Sequence, residues 1–242
     1  MENEVATGLN RTGLDMAPMS RDDMIKFARQ EGARTAQPGG AEKLRELRRQ
    51  YALEAERVGS VPVPGKIKGI ASTMVDTLKG NKPSVLIDKL GERLAYERTG
   101  VRLYEAMLIK ASAAGSGPMI DMGALQRIRD DEESHFHMVT RYLDGLGADP
   151  TAMTPCADVT GVAAMGHLQV ISDPRTTVAQ ALNSLLMIEM GDNAGWELLI
   201  ELAEEAGHAD MAQAFNVALE TEREHMETVR GWLRQAVLEE GT

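Results

Sequence analysis

Two acidic marks each occur twice in this chain, in the same order and at nearly the same interval. Glu97 stands seven residues before Tyr104, and Glu189 seven residues before Trp196. Each is followed by a Glu-x-x-His: Glu132-Glu-Ser-His135 after the first, Glu222-Arg-Glu-His225 after the second. The step from Glu97 to Glu132 is 35 residues and that from Glu189 to Glu222 is 33. Such an interval suits one helix, a short loop and the facing part of a second helix, so the chain reads as a helical hairpin written twice.

The apolar residues around these marks fix their register. Leu86, Leu90, Leu94, Glu97, Val101, Tyr104 and Leu108 form one row, and Leu125, Ile128, Glu132, His135, Val139, Leu143 and Leu146 a second. Leu182, Leu185, Glu189, Asn193, Trp196 and Ile200 form a third, and Phe215, Ala218, Glu222, His225, Val229 and Trp232 a fourth. Steps of three and four residues keep each row on one helical face. The acids and histidines therefore take inward seats that an all-helical core gives to Leu. Four buried, unpaired carboxylates would cost several kcal/mol each. Two divalent cations remove that cost. Within each Glu-x-x-His the carboxylate can bridge two metals while the imidazole binds one of them, and Glu97 and Glu189 supply the remaining carboxylates.

The rest of the chain frames this region. The expected division is an N-terminal extension over residues 1–82, partly disordered with short helices, and a four-helix bundle over 83–242. In the extension, Ser20 can cap a helix over Arg21–Gln30, and 41–58 is amphipathic through Leu44, Leu47, Tyr51, Ala55 and Val58. That second helix is expected to dock on its own bundle, with subunit binding as the alternative. Val61-Pro-Val-Pro-Gly65 reads as an extended linker, and a short helix fits Ile70–Lys79. The four long helices are expected over 83–114, 121–146, 177–206 and 210–239, with a crossover over 151–176 that holds a short helix near Val162–Val170.

A net charge of −11 disfavours nucleic acid and anionic membranes as partners. The lone Cys156 excludes an internal disulfide and a cysteine-based metal site. No signal peptide and no apolar run long enough to span a bilayer is readable, so the expected location is cytoplasmic.

Several neighbours of the inward rows bear on the site. Asp131 is placed to accept the ring N–H of His225 across the bundle, and Thr221 stands at the equivalent place for His135. Tyr104 and Trp196 are expected mainly as core fillers, with a hydrogen bond into the site or passage of an electron as the alternative. Glu105, Glu133, His137 and Asp192 are candidate supplementary ligands, with Glu133 and His137 spaced as an i, i+4 pair.

Glu97, Glu132-x-x-His135, Glu189 and Glu222-x-x-His225, together with the Leu-Gly-Ala-Asp-Pro turn after the second long helix, resemble the ferritin-like di-iron carboxylate superfamily of ferritins, bacterioferritins and rubrerythrins. The resemblance covers about residues 84–240. It implies an all-α, antiparallel four-helix bundle with one long crossover, holding two Fe ions, or Mn. Glu132 and Glu222 would bridge, with Glu97 and His135 completing one end and Glu189 and His225 the other. It also implies oxidation of Fe(II) by dioxygen or hydrogen peroxide, in a ferroxidase- or peroxidase-type reaction. The alternatives are iron storage or buffering, a manganese catalase-like reaction, or hydroxylation at the same centre. A homo-oligomer, such as a dimer, is expected. The extension and long crossover depart from a plain cage-forming ferritin, and a rubredoxin-like four-Cys centre is absent.

Overall fold

The computed structural model describes residues 19–35, 40–63, 83–114 and 120–240. Every regular element among the described residues is a helix: α1 (Arg21–Thr35), α2 (Gly40–Glu54), α3 (Pro83–Ala113), α4 (Met122–Gly145), α5 (Pro155–Ser172), α6 (Val178–Glu205) and α7 (Ala209–Glu240). The described residues divide into two compact units, one up to Arg57 and one from Val58 onward. In the first unit α2 buries no residue, and its stripe of Leu44, Leu47 and Tyr51 is exposed. The segment at 64–82, including the helix expected over Ile70–Lys79, lies outside the described residues.

Helix ends in the second unit follow local chemistry. Asp121 caps α4 by accepting from the backbone N–H groups of Gly123 and Ala124. Thr177 and Gln180 close a capping box at the start of α6. Gly147 and Gly207 adopt φ of 79° and 80°, the left-handed region where a side chain is costly. In both turns the next residue folds back on the helix: Ala148 N–H donates to Leu143 O, and His208 N–H to Ala203 O.

The segment between the two hairpins differs from expectation. In place of a short helix near Val162–Val170, α5 runs for 18 residues from Pro155. Pro155 reads as a breaker in a loop, but behind the cap Thr154 it occupies the first turn, where its missing N–H has no partner to lose. Polar ties lash α5 alongside α3. The Asp88 carboxylate accepts from Cys156 N–H at 2.9 Å near the start of both helices. Lys110 Nζ donates to Asp173 O at 2.8 Å and Thr176 O at 2.9 Å just beyond the end of α5.

Among the long helices, α3 packs against α4, α5 and α6, while α7 packs against α6 and α4. Two apolar clusters fill the interior. One joins Leu90, Leu94, Val139, Leu143, Trp196, Leu199 and Phe215. The other joins Leu103, Met107, Leu125, Ile128, Leu182, Leu185 and Val229. In each of α3, α4, α6 and α7 the change from one cluster to the other falls at the acidic marks, so a polar layer separates two greasy ends.

Candidate metal centre

That layer holds Glu97, Glu132, Glu189, Glu222, His135 and His225, the six residues singled out by their spacing, and all six are buried. Glu222 is central. Its Oε1 lies 2.6 Å from His135 Nδ1, and its Oε2 lies 2.9 Å from His225 Nδ1. One carboxylate thus stands between two imidazoles from different helices. Glu97 Oε2 lies 3.7 Å from His135 Nδ1, and Glu132 Oε1 lies 3.9 Å from His225 Nδ1.

Three groupings bring their donor atoms within 4.8 Å of one another: Glu97, His135 and Glu222; Glu132, Glu189, Glu222 and His225; and Glu97, Glu132, Asp192 and Glu222. The fit to a cation is seen in the unspent oxygens. Glu97 Oε2, Glu189 Oε2 and Glu222 Oε1 are buried with no hydrogen-bond partner. His135 Nδ1 also lacks hydrogen-bond alignment despite its approach to Glu222. Lone pairs that converge in this way suit a positive ion, which takes several at once and needs no proton between them. These buried groups could hold a metal ion.

The electrostatics agree. Burial pushes the carboxyls of Glu97 and Glu189 up, to about 7 and about 8, with the charge of Glu222 adding to both. Arg93 pulls Glu97 the other way. Burial also drives Glu132 well above the carboxylate range, helped by Glu222 and Glu97. Burial works against Glu222 too, but the close approach of His135, the contact with His225 and the charge of both rings outweigh it and hold that carboxyl at about 2. Desolvation lowers both histidines, yet the close, charged Glu222 carboxylate overcomes it. His225, with Glu189 and Asp131 adding their pull, is lifted to about 9. His135 is raised as well, with the charge of Glu97 contributing. Metal-free, the layer stays near neutral by keeping protons that cations would expel.

Supporting side chains set the geometry. Asp131 Oδ2 lies 3.2 Å from His225 Nε2, the bond its position before Glu132 suggests. Thr221 does not do the same for His135; its hydroxyl donates to Val217 O within its own helix at 3.3 Å. Tyr104 is more than filler, since its hydroxyl donates to Glu189 Oε1 in a short bond. Trp196 does fill space, packed edge to face with His135 at 5.6 Å between ring centres. Asn193 Nδ2 donates to Glu189 O at 2.9 Å and Glu222 O at 3.2 Å, tying together the acid-bearing turns of α6 and α7. A Cβ at position 100 would collide with Glu132 Oε2, so Gly100 makes room for that carboxylate.

Of the supplementary candidates, Asp192 alone is buried in the layer. Glu105 and Glu133 turn outward to Arg129, and His137 is exposed beside Phe136. The spacing of Glu133 and His137 therefore makes no pair; Arg129, one turn before Glu133, is the better partner. Arg93 is the residue that sequence reasoning misses. It sits four positions before Glu97, in the same inward direction, and that spacing is the available signal.

Comparison of the chain with protein-family models, with curated proteins and with solved structures gives no match. No helix among the described residues is long and apolar enough to cross a membrane.

Proposed function

We propose that the chain is a dinuclear metal protein of the ferritin-like kind. In this reading α3, α4, α6 and α7 form a four-helix bundle, α5 is its crossover, and the reaction is oxidation of Fe(II) by dioxygen or hydrogen peroxide. The observation that carries it is Glu222, a buried carboxylate whose two oxygens face two imidazoles across 2.6 and 2.9 Å. A carboxylate with one imidazole at each oxygen is suited to serve two cations, each of which would also take one of those rings.

An iron pair at this level would supply one-electron redox chemistry, with Fe(II) as the substrate oxidised. The chain's own residues would do the rest. Glu97 with His135 would hold one metal and Glu189 with His225 the other, and Glu132 and Glu222 would serve both. Tyr104 orients Glu189 and holds a proton at its hydroxyl. Asp131 fixes the His225 ring. Trp196, Leu103 and Val229 belong to apolar clusters that keep bulk water from the layer.

The test adds Fe(II) to the metal-free chain in the presence of dioxygen or hydrogen peroxide and follows near-ultraviolet absorbance from oxidised iron. Saturation at about two irons per chain supports the reading. Uptake of hundreds of irons per assembly would point to storage, and oxygen gas from peroxide in a manganese-loaded sample to a catalase. Absence of any iron oxidation removes the proposal.

A further inference from the structure

Among the described residues, Arg93 is the one lysine or arginine that is buried, and its surroundings form a fitted cradle. Its Nη1 donates to Glu97 Oε1 at 3.0 Å and also makes a close ion pair with Asp192 Oδ1. Its Nη2 reaches the Asp192 main-chain oxygen at 3.4 Å. The guanidinium carbon lies 4.8 Å from the ring centre of Tyr96 and 4.9 Å from that of Trp196. The Tyr96 ring is itself fixed, because its hydroxyl donates to Ile188 O at 2.7 Å. A Cβ at Gly195 would collide with Nη2, so the glycine leaves the space the guanidinium fills.

Asp192 is close enough to serve as a ligand: its carboxylate falls within 4.8 Å of donor atoms from Glu97, Glu132 and Glu222. Arg93 takes up that carboxylate instead. It also takes one oxygen of Glu97 and leaves the other, Oε2, free to face His135. Charge gives the same division. Five buried carboxylates and one guanidinium leave −4 when the imidazoles are neutral, which two divalent cations balance.

We propose that Arg93 is a positioning residue that keeps Asp192 out of the metal set. This rests on the dinuclear reading above. A guanidinium suits the task because its planar fork holds two acids at once, stacks between rings and never loses its charge.

The experiment loads the full chain with Co(II) and records the visible ligand-field spectrum, the metal content and the affinity by chelator competition. Wild-type protein should take up about two Co(II) per chain. Arg93→Met frees Asp192 to join the set, so the band should shift and weaken as coordination number rises. Binding should tighten about tenfold, since an added carboxylate raises the ligand charge. Arg93→Met/Asp192→Asn should restore the wild-type spectrum, and Arg93→Lys should retain it. Asp192→Asn alone should leave the spectrum unchanged, which keeps the test decisive if Arg93→Met does not fold. An unaltered spectrum in folded Arg93→Met, a change that persists in the double variant, or an altered spectrum in Asp192→Asn would each overturn the proposal. Wild-type protein that binds no Co(II) defeats the dinuclear reading and this inference with it; two bound Co(II) with an unaltered Arg93→Met spectrum defeat this inference alone.

Discussion

Asp131 on α4 holds the outer nitrogen of His225 on α7, with Oδ2 3.2 Å from Nε2. The consequence is a fixed ring. With Nε2 held by Asp131, His225 turns Nδ1 inward to Glu222 and Glu132. Outer partners of this kind typically change metal affinity by roughly 10–100-fold. Asp131→Ala should therefore weaken Co(II) or Zn(II) binding by that factor with little change in the thermal midpoint of the metal-free protein. Chelator competition measures it, and unchanged affinity would show that the ring needs no such anchor.

Glu222 belongs to all three donor groupings, whereas Glu189 belongs to one. Glu222→Gln should abolish binding of both metals. Glu189→Gln should leave one metal per chain, because the Glu97 and His135 side keeps its donors. Metal content of the dialysed variants distinguishes the two results. Equal losses would mean that Glu222 does not bridge.

The pH dependence of the metal-free protein has a definite sign. Folded Glu97 and Glu189 hold protons up to about 7 and about 8, whereas an unfolded glutamate releases its proton near 4.5. His225 is likewise raised, from 6.5 to about 9. In each window the native state carries more protons, so stability falls as pH rises. Glu222, held at about 2, works in the opposite sense and costs stability only on acidification below its unfolded value of 4.5. The thermal midpoint should thus peak at about pH 5 and drop by several degrees toward about pH 9. A saturating divalent metal should remove that alkaline drop by replacing the same protons. A metal-free midpoint that climbs over the same alkaline range would contradict this assignment.

Gly100 gives a steric test. Gly100→Ala places a methyl where Glu132 Oε2 lies, and Glu132 has little room to retreat because it is buried. Helix propensity favours Ala over Gly by about 1 kcal/mol, so an exposed site would gain stability from this change. Here the expectation is a loss of metal affinity of at least about tenfold, of the order seen when a ligand's support is disturbed. Calorimetric titration beside a thermal melt separates the two effects.

Much of the centre is legible from residues three and four apart. Periodicity says which face a side chain occupies, and that suffices to bring six donors to one level. It does not say what stands opposite. Arg93 escapes such a reading because its role depends on α6, through Asp192, Trp196 and the space at Gly195. Symmetry with Asp131 suggests a partner for Thr221, but a hydroxyl is shorter than a carboxylate and finds its own helix's carbonyl first. Tyr104 reads first as packing and second as a hydrogen bond into the site; the row it sits in does not say that Glu189 is the acid its hydroxyl reaches. Pro155 resembles a break, although Thr154 before it makes the pair a helix start.

The separation of the interior into two apolar clusters has a bearing on how ions get in and out. Neither cluster includes any of the six acid and histidine residues, so loosening at one end of the helices is expected to leave the other packed. Under the proposed dinuclear reading, ion exchange would need only a partial, one-sided loosening, and backbone amides at the two ends should report it by trading hydrogen for deuterium at different rates.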